Sequence, residues 1–129
     1  MPQMIWTTGF SVGVPLMDAQ HKRLIALINA TDRLTDVHAM ADAIHQMFEY
    51  AHMHFRVEEE LLRAKGYPEL EQQLHEHALF FEQATAFLSK KLTDPKVKAE
   101  LNGFLCKWLS HHILEVDMKY KHFLLPVKG

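Results

Sequence analysis

Histidines recur in this chain on apolar helical faces, together with carboxylates. His54 and Glu58 are four residues apart, so on a helix their side chains lie one turn apart on one face. Apolar residues continue that face at intervals of three and four: Met47, Ala51 and Leu61. A buried imidazole or carboxylate is costly unless it has a partner. One metal ion, or a pair of them, would satisfy both side chains.

Two more histidines lie on comparable faces of other segments. The face of His21 contains Met17, Leu24 and Ile28, and the face of His77 contains Leu70, Gln73, Phe81 and Ala84. A single inward histidine is more often a hydrogen-bonded core residue than a ligand. Because inward histidines recur on several segments, the pattern favours a shared metal site over separate core histidines.

The last segment leaves two arrangements open. His111 and Glu115 have the four-residue spacing, whereas His112 and Asp117 are five residues apart and about 140° apart on an ideal helix. Burial favours His112, because its helical neighbours are apolar: Trp108, Leu109 and Val116. We therefore expect His112 to point inward and His111 to lie nearer the rim.

Together these faces bring four imidazoles and two carboxylates into one interior. No lysine or arginine accompanies them in the pattern, so the buried carboxylates need a cation. A carboxylate-rich site with histidines in a bundle core suits a pair of iron ions. A structural zinc site would more usually include several cysteines, and Cys106 is the only one.

The elements that position these residues are amphipathic helices. Apolar periodicity predicts an irregular arm followed by four helices: residues 1–17, then 18–36, 39–65, 69–91 and 94–120. Gly66 is a helix stop, and Asp94-Pro95 is a helix start. We predict one all-α domain over residues 1–129, an antiparallel up-down-up-down four-helix bundle at 18–120 behind an N-terminal arm.

Composition sets the remaining expectations. Apolar residues are 48% of the chain, and the formal net charge is -2, so neither a disordered chain nor a nucleic-acid binder is expected. No apolar run is long enough to span a membrane, and no signal peptide is recognisable. A lone cysteine fits a reducing compartment. We therefore expect a cytoplasmic protein, a monomer or weak oligomer, with no nucleic-acid or membrane partner.

Other polar residues are expected at the surface. These are the remaining histidines, His38, His45, His52, His75, His111 and His122, and the pair Glu59 and Glu60.

The sequence resembles the hemerythrin family, and specifically its single-domain bacterial members, over nearly the whole chain. The matching motifs are Trp6 with Phe10-Ser11-Val12-Gly13-Val14 and Asp18-Ala19-Gln20-His21-Lys22; Tyr50 with His54-Phe55 and Glu58-Glu59; Tyr67-Pro68 with Glu76-His77; and Trp108-Leu109 with His112-Ile113, Asp117 and Tyr120.

This resemblance implies reversible dioxygen binding at two iron ions in an oxo- or hydroxo-bridged non-haem centre. It assigns His21 and His54 to one iron, His77 and His112 to the other, and Glu58 and Asp117 as bridges. On the fourth helix it therefore selects His112 and Asp117. An oxygen pocket on the first iron is expected to be lined by Phe55, Trp108 and Ile113.

Position 73 departs from the family pattern. The family has a histidine four residues before His77, where this chain has Gln73, and His75 faces away from the ligand face. The second iron would then have two histidines plus the Gln73 amide oxygen or water. An amide is a weaker donor than imidazole, so we expect weaker iron retention there or a second exchangeable position.

Three functions follow as hypotheses. The first is an oxygen carrier, store or delivery protein, which needs no catalytic acid or base. The second is a di-iron redox enzyme or a sensor of oxygen, nitric oxide or peroxide, favoured by Gln73. The third is a bundle that binds iron or another metal loosely.

Overall fold

The computed structural model describes residues 4–124, which are helical apart from the N-terminal arm and the connections. The helices are α1 (Pro15–Arg33), α2 (Val37–Ala64), α3 (Leu70–Ala86), α4 (Pro95–His111) and α5 (Met118–Leu124), with a π-helical segment (His112–Asp117) between the last two. Short 3-10 turns lie at Thr8–Phe10 and Phe87–Ser89. No strand occurs within residues 4–124.

Local sequence explains where several helices begin and end. The Asp36 side chain accepts a hydrogen bond from the backbone N–H of Ala39 at the start of α2. Asp94 accepts one from Lys96 at the start of α4, where Pro95 occupies the first turn, as predicted. After α2, Gly66 has φ +68°, a left-handed conformation in which glycine carries no Cβ penalty.

The four long helices form a ring around a single core. α1 packs against α2 and α4, and α3 also packs against α2 and α4. Short connections join α1 to α2 and α2 to α3, so these neighbours run antiparallel. The predicted all-α four-helix bundle is confirmed. No helix within residues 4–124 is long and apolar enough to cross a bilayer.

Several predicted boundaries were wrong by a few residues; α1, for example, ends at Arg33 rather than at 36. α1 begins at Pro15 rather than at Asp18, because proline is well tolerated in a first helical turn. α3 ends at Ala86 and continues only as a 3-10 turn, where the Ser89 hydroxyl donates to the Ala86 carbonyl. The last helix extends past Tyr120 to Leu124.

The π-helical segment aligns the two residues of the last helix that were predicted to be ligands. A π-helix has i→i+5 hydrogen bonds and therefore a wider turn than an α-helix. His112 and Asp117 are its first and last residues, and neither side chain is exposed to solvent. The ideal-helix angle that favoured His111 with Glu115 therefore does not apply, and both of those residues are exposed.

Candidate metal centre

All seven side chains singled out from the sequence as metal ligands or as a doubtful ligand lie together inside the bundle. They are His21 on α1, His54 and Glu58 on α2, Gln73 and His77 on α3, and His112 and Asp117 on the π-helical segment. Each is at most 3% exposed. The helical faces read from the sequence therefore converge on one point.

Glu58 lies between two pairs of histidines. Its Oε1 is 3.0 Å from His77 Nε2 and 3.7 Å from His112 Nε2. Its Oε2 is 4.0 Å from His21 Nε2 and 3.9 Å from His54 Nε2. Two groups of potential ligand atoms, each within 4.8 Å of one another, therefore share Glu58. These pairs are the same pairs that the family resemblance implies.

Asp117 also reaches both pairs. Its Oδ2 is 3.3 Å from His21 Nε2, and its Oδ1 is 3.1 Å from His112 Nε2. The Gln73 amide adds a contact to this carboxylate, because its Nε2 donates to Asp117 Oδ1 over 3.0 Å.

Several buried polar atoms in the centre lack a hydrogen-bond partner. They are both ring nitrogens of His21, Nε2 of His54, Nδ1 of His112, Oε1 of Gln73 and Oδ2 of Asp117. Buried polar atoms are normally paired, so a cluster of unpaired nitrogen and oxygen atoms of this kind needs an explanation. Imidazole nitrogens with carboxylate and amide oxygens form a donor set that suits iron. The residues present therefore fit the metal group that the resemblance implies.

His54 is oriented by a residue that the sequence analysis did not assign. Its Nδ1 is 2.6 Å from Oε1 of the buried Gln20 amide, which can only accept, so Nδ1 carries the proton. Burial lowers the pKa of His54 to about 4, so the ring is neutral at pH 7. The lone pair on Nε2 consequently faces the interior and is available to a cation.

His77 is oriented by Glu59, which corrects an expectation. Glu59 was predicted to belong to a solvated face, but its side chain is only 22% exposed and its Oε2 lies 2.7 Å from His77 Nδ1. A carboxylate in this position fixes the tautomer and the orientation of the ring. Glu60, the next residue, is exposed as expected.

Tyr120 holds the shared carboxylate. Its buried hydroxyl donates to Glu58 Oε2 over 2.8 Å. Burial, together with the neighbouring Glu58 and Asp117 carboxylates, raises the pKa of Tyr120 well above its ordinary value, so the phenol stays a donor.

The two buried carboxylates are ionised. Burial raises the pKa of Glu58, but the imidazoles of His112, His54 and His77 outweigh it and hold that pKa well below its usual range. Burial and Glu58 raise the pKa of Asp117, and His112 with His21 outweighs them, so its pKa is also lowered. The centre therefore presents two negative charges to a cation.

The opposite shift appears on His112. Burial lowers the pKa of His112, but the Asp117 and Glu58 carboxylates raise it well above the ordinary value. Metal ligation requires a neutral imidazole, so a cation bound here would release that proton.

Aromatic rings cover the His77–His112 side of the centre. The Phe55 ring stacks on His77 with centroids 3.9 Å apart, and Trp108 stacks on His112 at 4.6 Å. Phe55 also lies 5.6 Å from the His54 ring, and Ile113 is fully buried. Phe55 and Trp108, with Leu24 and other apolar residues, enclose a cavity of about 10 Å³. Of the three expected pocket residues, Phe55 and Ile113 are buried and Trp108 is half-buried, and Phe55 and Trp108 stack on the second histidine pair rather than on the first.

The remaining histidines are placed as predicted. His38, His45, His52, His75, His111 and His122 are all exposed.

The sequence did offer one signal for Gln20, a polar residue on an apolar face of α1, one turn before Leu24. Glu59 carried no such signal, because its position next to Glu58 is off the main apolar face of α2.

Comparison with known proteins agrees with this arrangement. The model of the hemerythrin HHE cation binding domain matches residues 12–124. A hemerythrin-like protein of Naegleria gruberi is 32% identical over 119 residues, covering 92% of each chain. A bacteriohemerythrin of Pseudomonas aeruginosa is 29% identical over 126 residues, covering 93% of this chain and 80% of the relative. A crystal structure of wild-type hemerythrin is similar with a TM-score of 0.79 at 24% identity, over 93% of this chain and 96% of that one.

These findings define the class of protein as a helical bundle with a non-haem metal site. The chain belongs to the hemerythrin family, because the family model spans nearly all of it. Family membership implies non-haem iron binding.

Proposed function

We propose that the protein binds two iron ions on either side of Glu58 and uses them to bind dioxygen reversibly. The observation that carries this proposal is the pair of histidine pairs that share the Glu58 carboxylate inside one bundle. The proposed ligands are one residue of α1, two of α2, one of α3 and two of the π-helical segment: His21, His54, Glu58, His77, His112 and Asp117. When bound, ferrous ions would supply the affinity for dioxygen.

The chain supplies the geometry and the exclusion of water. Gln20 and Glu59 fix the rings of His54 and His77, and Tyr120 fixes Glu58. The stacked rings of Phe55 and Trp108 close the centre on one side. A dry, apolar surround disfavours charge separation and proton entry, so a bound gas leaves unchanged rather than reduced.

A second candidate function has support from one residue. Gln73 stands where the family has a histidine, and its Oε1 is buried without a partner. An amide in place of imidazole changes the coordination on that side. That change favours a redox enzyme or a sensor that handles oxygen, peroxide or nitric oxide.

An optical experiment separates the two functions. The protein is loaded with Fe(II) without oxygen, and its spectrum is recorded before oxygen is added, after it is added, and after it is removed. We expect charge-transfer bands that appear with oxygen and disappear on its removal. A stable ferric spectrum, or steady consumption of an added reductant, would contradict reversible binding and support the second function.

A matched pair of variants ties that result to the site. His54→Leu removes a buried ring nitrogen, whereas His45→Leu changes an exposed histidine on the same helix. We expect the first variant to lose iron and the oxygen-dependent bands and the second to keep both. Equal behaviour of the two variants would overturn the assignment of His54.

A further inference from the structure

The side-chain amide of Gln73 has two polar ends, and only its nitrogen has a hydrogen-bond partner. Its side chain is 1% exposed, and it lies on α3 one turn before His77. Its Nε2 donates to Asp117 Oδ1 over 3.0 Å. An ionised carboxylate can only accept, so the amide nitrogen must be the atom that faces Asp117.

That orientation leaves the amide oxygen free. Oε1 is buried and has no hydrogen-bond partner. Leaving a buried acceptor unpaired is unfavourable, so a partner is expected for it. Carbonyl oxygens of amides are ordinary ligands for hard divalent cations.

The contact to Asp117 also divides the two oxygens of that carboxylate. Oδ1 accepts the amide N–H and lies 3.1 Å from His112 Nε2. Oδ2 has no hydrogen-bond partner and is 3.3 Å from His21 Nε2. The oxygen left free for a metal is thus the one on the His21 side.

We propose that Gln73 acts through both ends of its amide: Oε1 is a ligand of the metal at His77 and His112, and the N–H turns Asp117 toward the metal at His21 and His54. This inference rests on the proposed two-metal centre. In the family pattern a histidine at this position would contribute only a ring nitrogen to the metal. Here the second metal exchanges one imidazole for an amide oxygen, and Asp117 serves chiefly the first metal.

The test is metal retention. Wild-type protein and variants are loaded with Fe(II) under argon, desalted and assayed for iron per chain, and the release of iron to a ferrous chelator is then followed with time. In wild type we expect two irons per chain and release in two phases.

Gln73→Leu removes both ends of the amide at similar volume. We expect the faster phase to accelerate by about tenfold or more, since losing a metal-site partner typically weakens affinity by 10–100-fold. Gln73→His adds an imidazole and is expected to slow that phase, a gain that a folding defect cannot produce. Gln72→Leu, the neighbouring glutamine that bonds to Lys119 at the surface, is the control and should match wild type.

Gln73→Glu separates the two ends. It keeps an oxygen ligand but loses the N–H and places a second charge beside Asp117. We expect iron to be retained, with a larger gain in thermal unfolding temperature on iron loading than in wild type, because the metal then screens the two carboxylates.

The outcomes are distinguishable. Two irons per chain in wild type with unchanged release from Gln73→Leu would overturn this inference, with water as the ligand instead, and would leave the proposed function standing. Fewer than two irons per chain in wild type would contradict the proposed function itself.

Discussion

The two halves of the centre hold their imidazoles in different ways. On the His21–His54 side, the partner of a ring nitrogen is the neutral amide of Gln20, and His21 has no hydrogen bond. On the His77–His112 side, the Glu59 carboxylate backs His77, and Glu76 lies 3.9 Å from His112 Nδ1.

The aromatic surround differs in the same direction. Phe55 and Trp108 stack on His77 and His112, within 5 Å between ring centroids. The only comparable contact that His21 makes among the described residues is the edge-on ring of His54 at 4.7 Å.

The side with carboxylates behind its histidines, Glu59 and Glu76, is also the side where Gln73 replaces a histidine. The His77–His112 side has Gln73 where the family pattern has a third histidine, and the Glu59 carboxylate orients the His77 ring there. On the His21–His54 side, the hydrogen-bond partner of a ring nitrogen is the neutral amide of Gln20. The following predictions test whether the His21–His54 side and the His77–His112 side hold a metal differently.

The largest effect is expected at the residue that both halves share. Glu58→Gln replaces the central carboxylate with an amide and removes one of the two buried negative charges. We expect less than one iron per chain after loading and desalting. Glu60→Gln, an exposed change on the same helix, is the control. Retention of two irons by Glu58→Gln would show that the halves are independent sites.

The next largest effect on metal affinity is expected only on the His77–His112 side. Glu59→Gln keeps the shape but replaces the carboxylate that lies 2.7 Å from His77 Nδ1. We expect the affinity for one of the two irons to fall by about 10–100-fold. Metal titration with Fe(II) under argon measures it, with Glu82→Gln on α3 as the exposed control. Equal weakening of both irons would contradict the division into halves.

A smaller effect on metal affinity is expected on the His21–His54 side. Gln20→Leu removes the acceptor that holds His54 Nδ1 at 2.6 Å. Because a neutral partner polarises the ring less than a carboxylate does, we expect a loss of affinity below that of Glu59→Gln. The same titration compares them, and Gln46→Leu on the exposed side of α2 is the control. A larger loss than in Glu59→Gln would reverse our ranking.

The smallest effect on metal retention is expected at Tyr120, where the change we expect to measure is in stability. Tyr120→Phe removes the hydroxyl that donates to Glu58 over 2.8 Å. We expect the free energy of unfolding to fall by about 1–3 kcal/mol, because a buried charged acceptor loses its donor. Denaturant unfolding measures this, with Tyr50→Phe, a half-buried tyrosine on α2, as the control. An unchanged stability would mean that Glu58 is satisfied by the imidazoles alone.

Much of the fold and the inner site was predictable from periodicity. Apolar faces at three and four residue spacing predicted four helices and placed His21, His54 and Glu58 inward. Where the pattern is a regular α-helix, spacing alone gives the side-chain direction.

Spacing failed where the backbone leaves the α-helix. The π-helical segment widens one turn, so His112 and Asp117 align although an ideal helix separates them by about 140°. Nothing in the local sequence marks this change, and only the burial of the neighbours and the family resemblance favoured His112.

The outer residues were the least predictable. Gln20 and Glu59 act through single contacts across helix interfaces, and such contacts depend on how two helices pack rather than on either sequence pattern. A carboxylate next to an inward glutamate is most simply interpreted as exposed, and Glu59 is not.

In the proposed centre, two metal positions flank Glu58. The most direct test is an anomalous difference map at the iron edge, from crystals of protein loaded with Fe(II). We expect two peaks per chain, one beside His21 and His54 and one beside His77 and His112. A single peak, or two peaks that do not lie on opposite sides of Glu58, would contradict it.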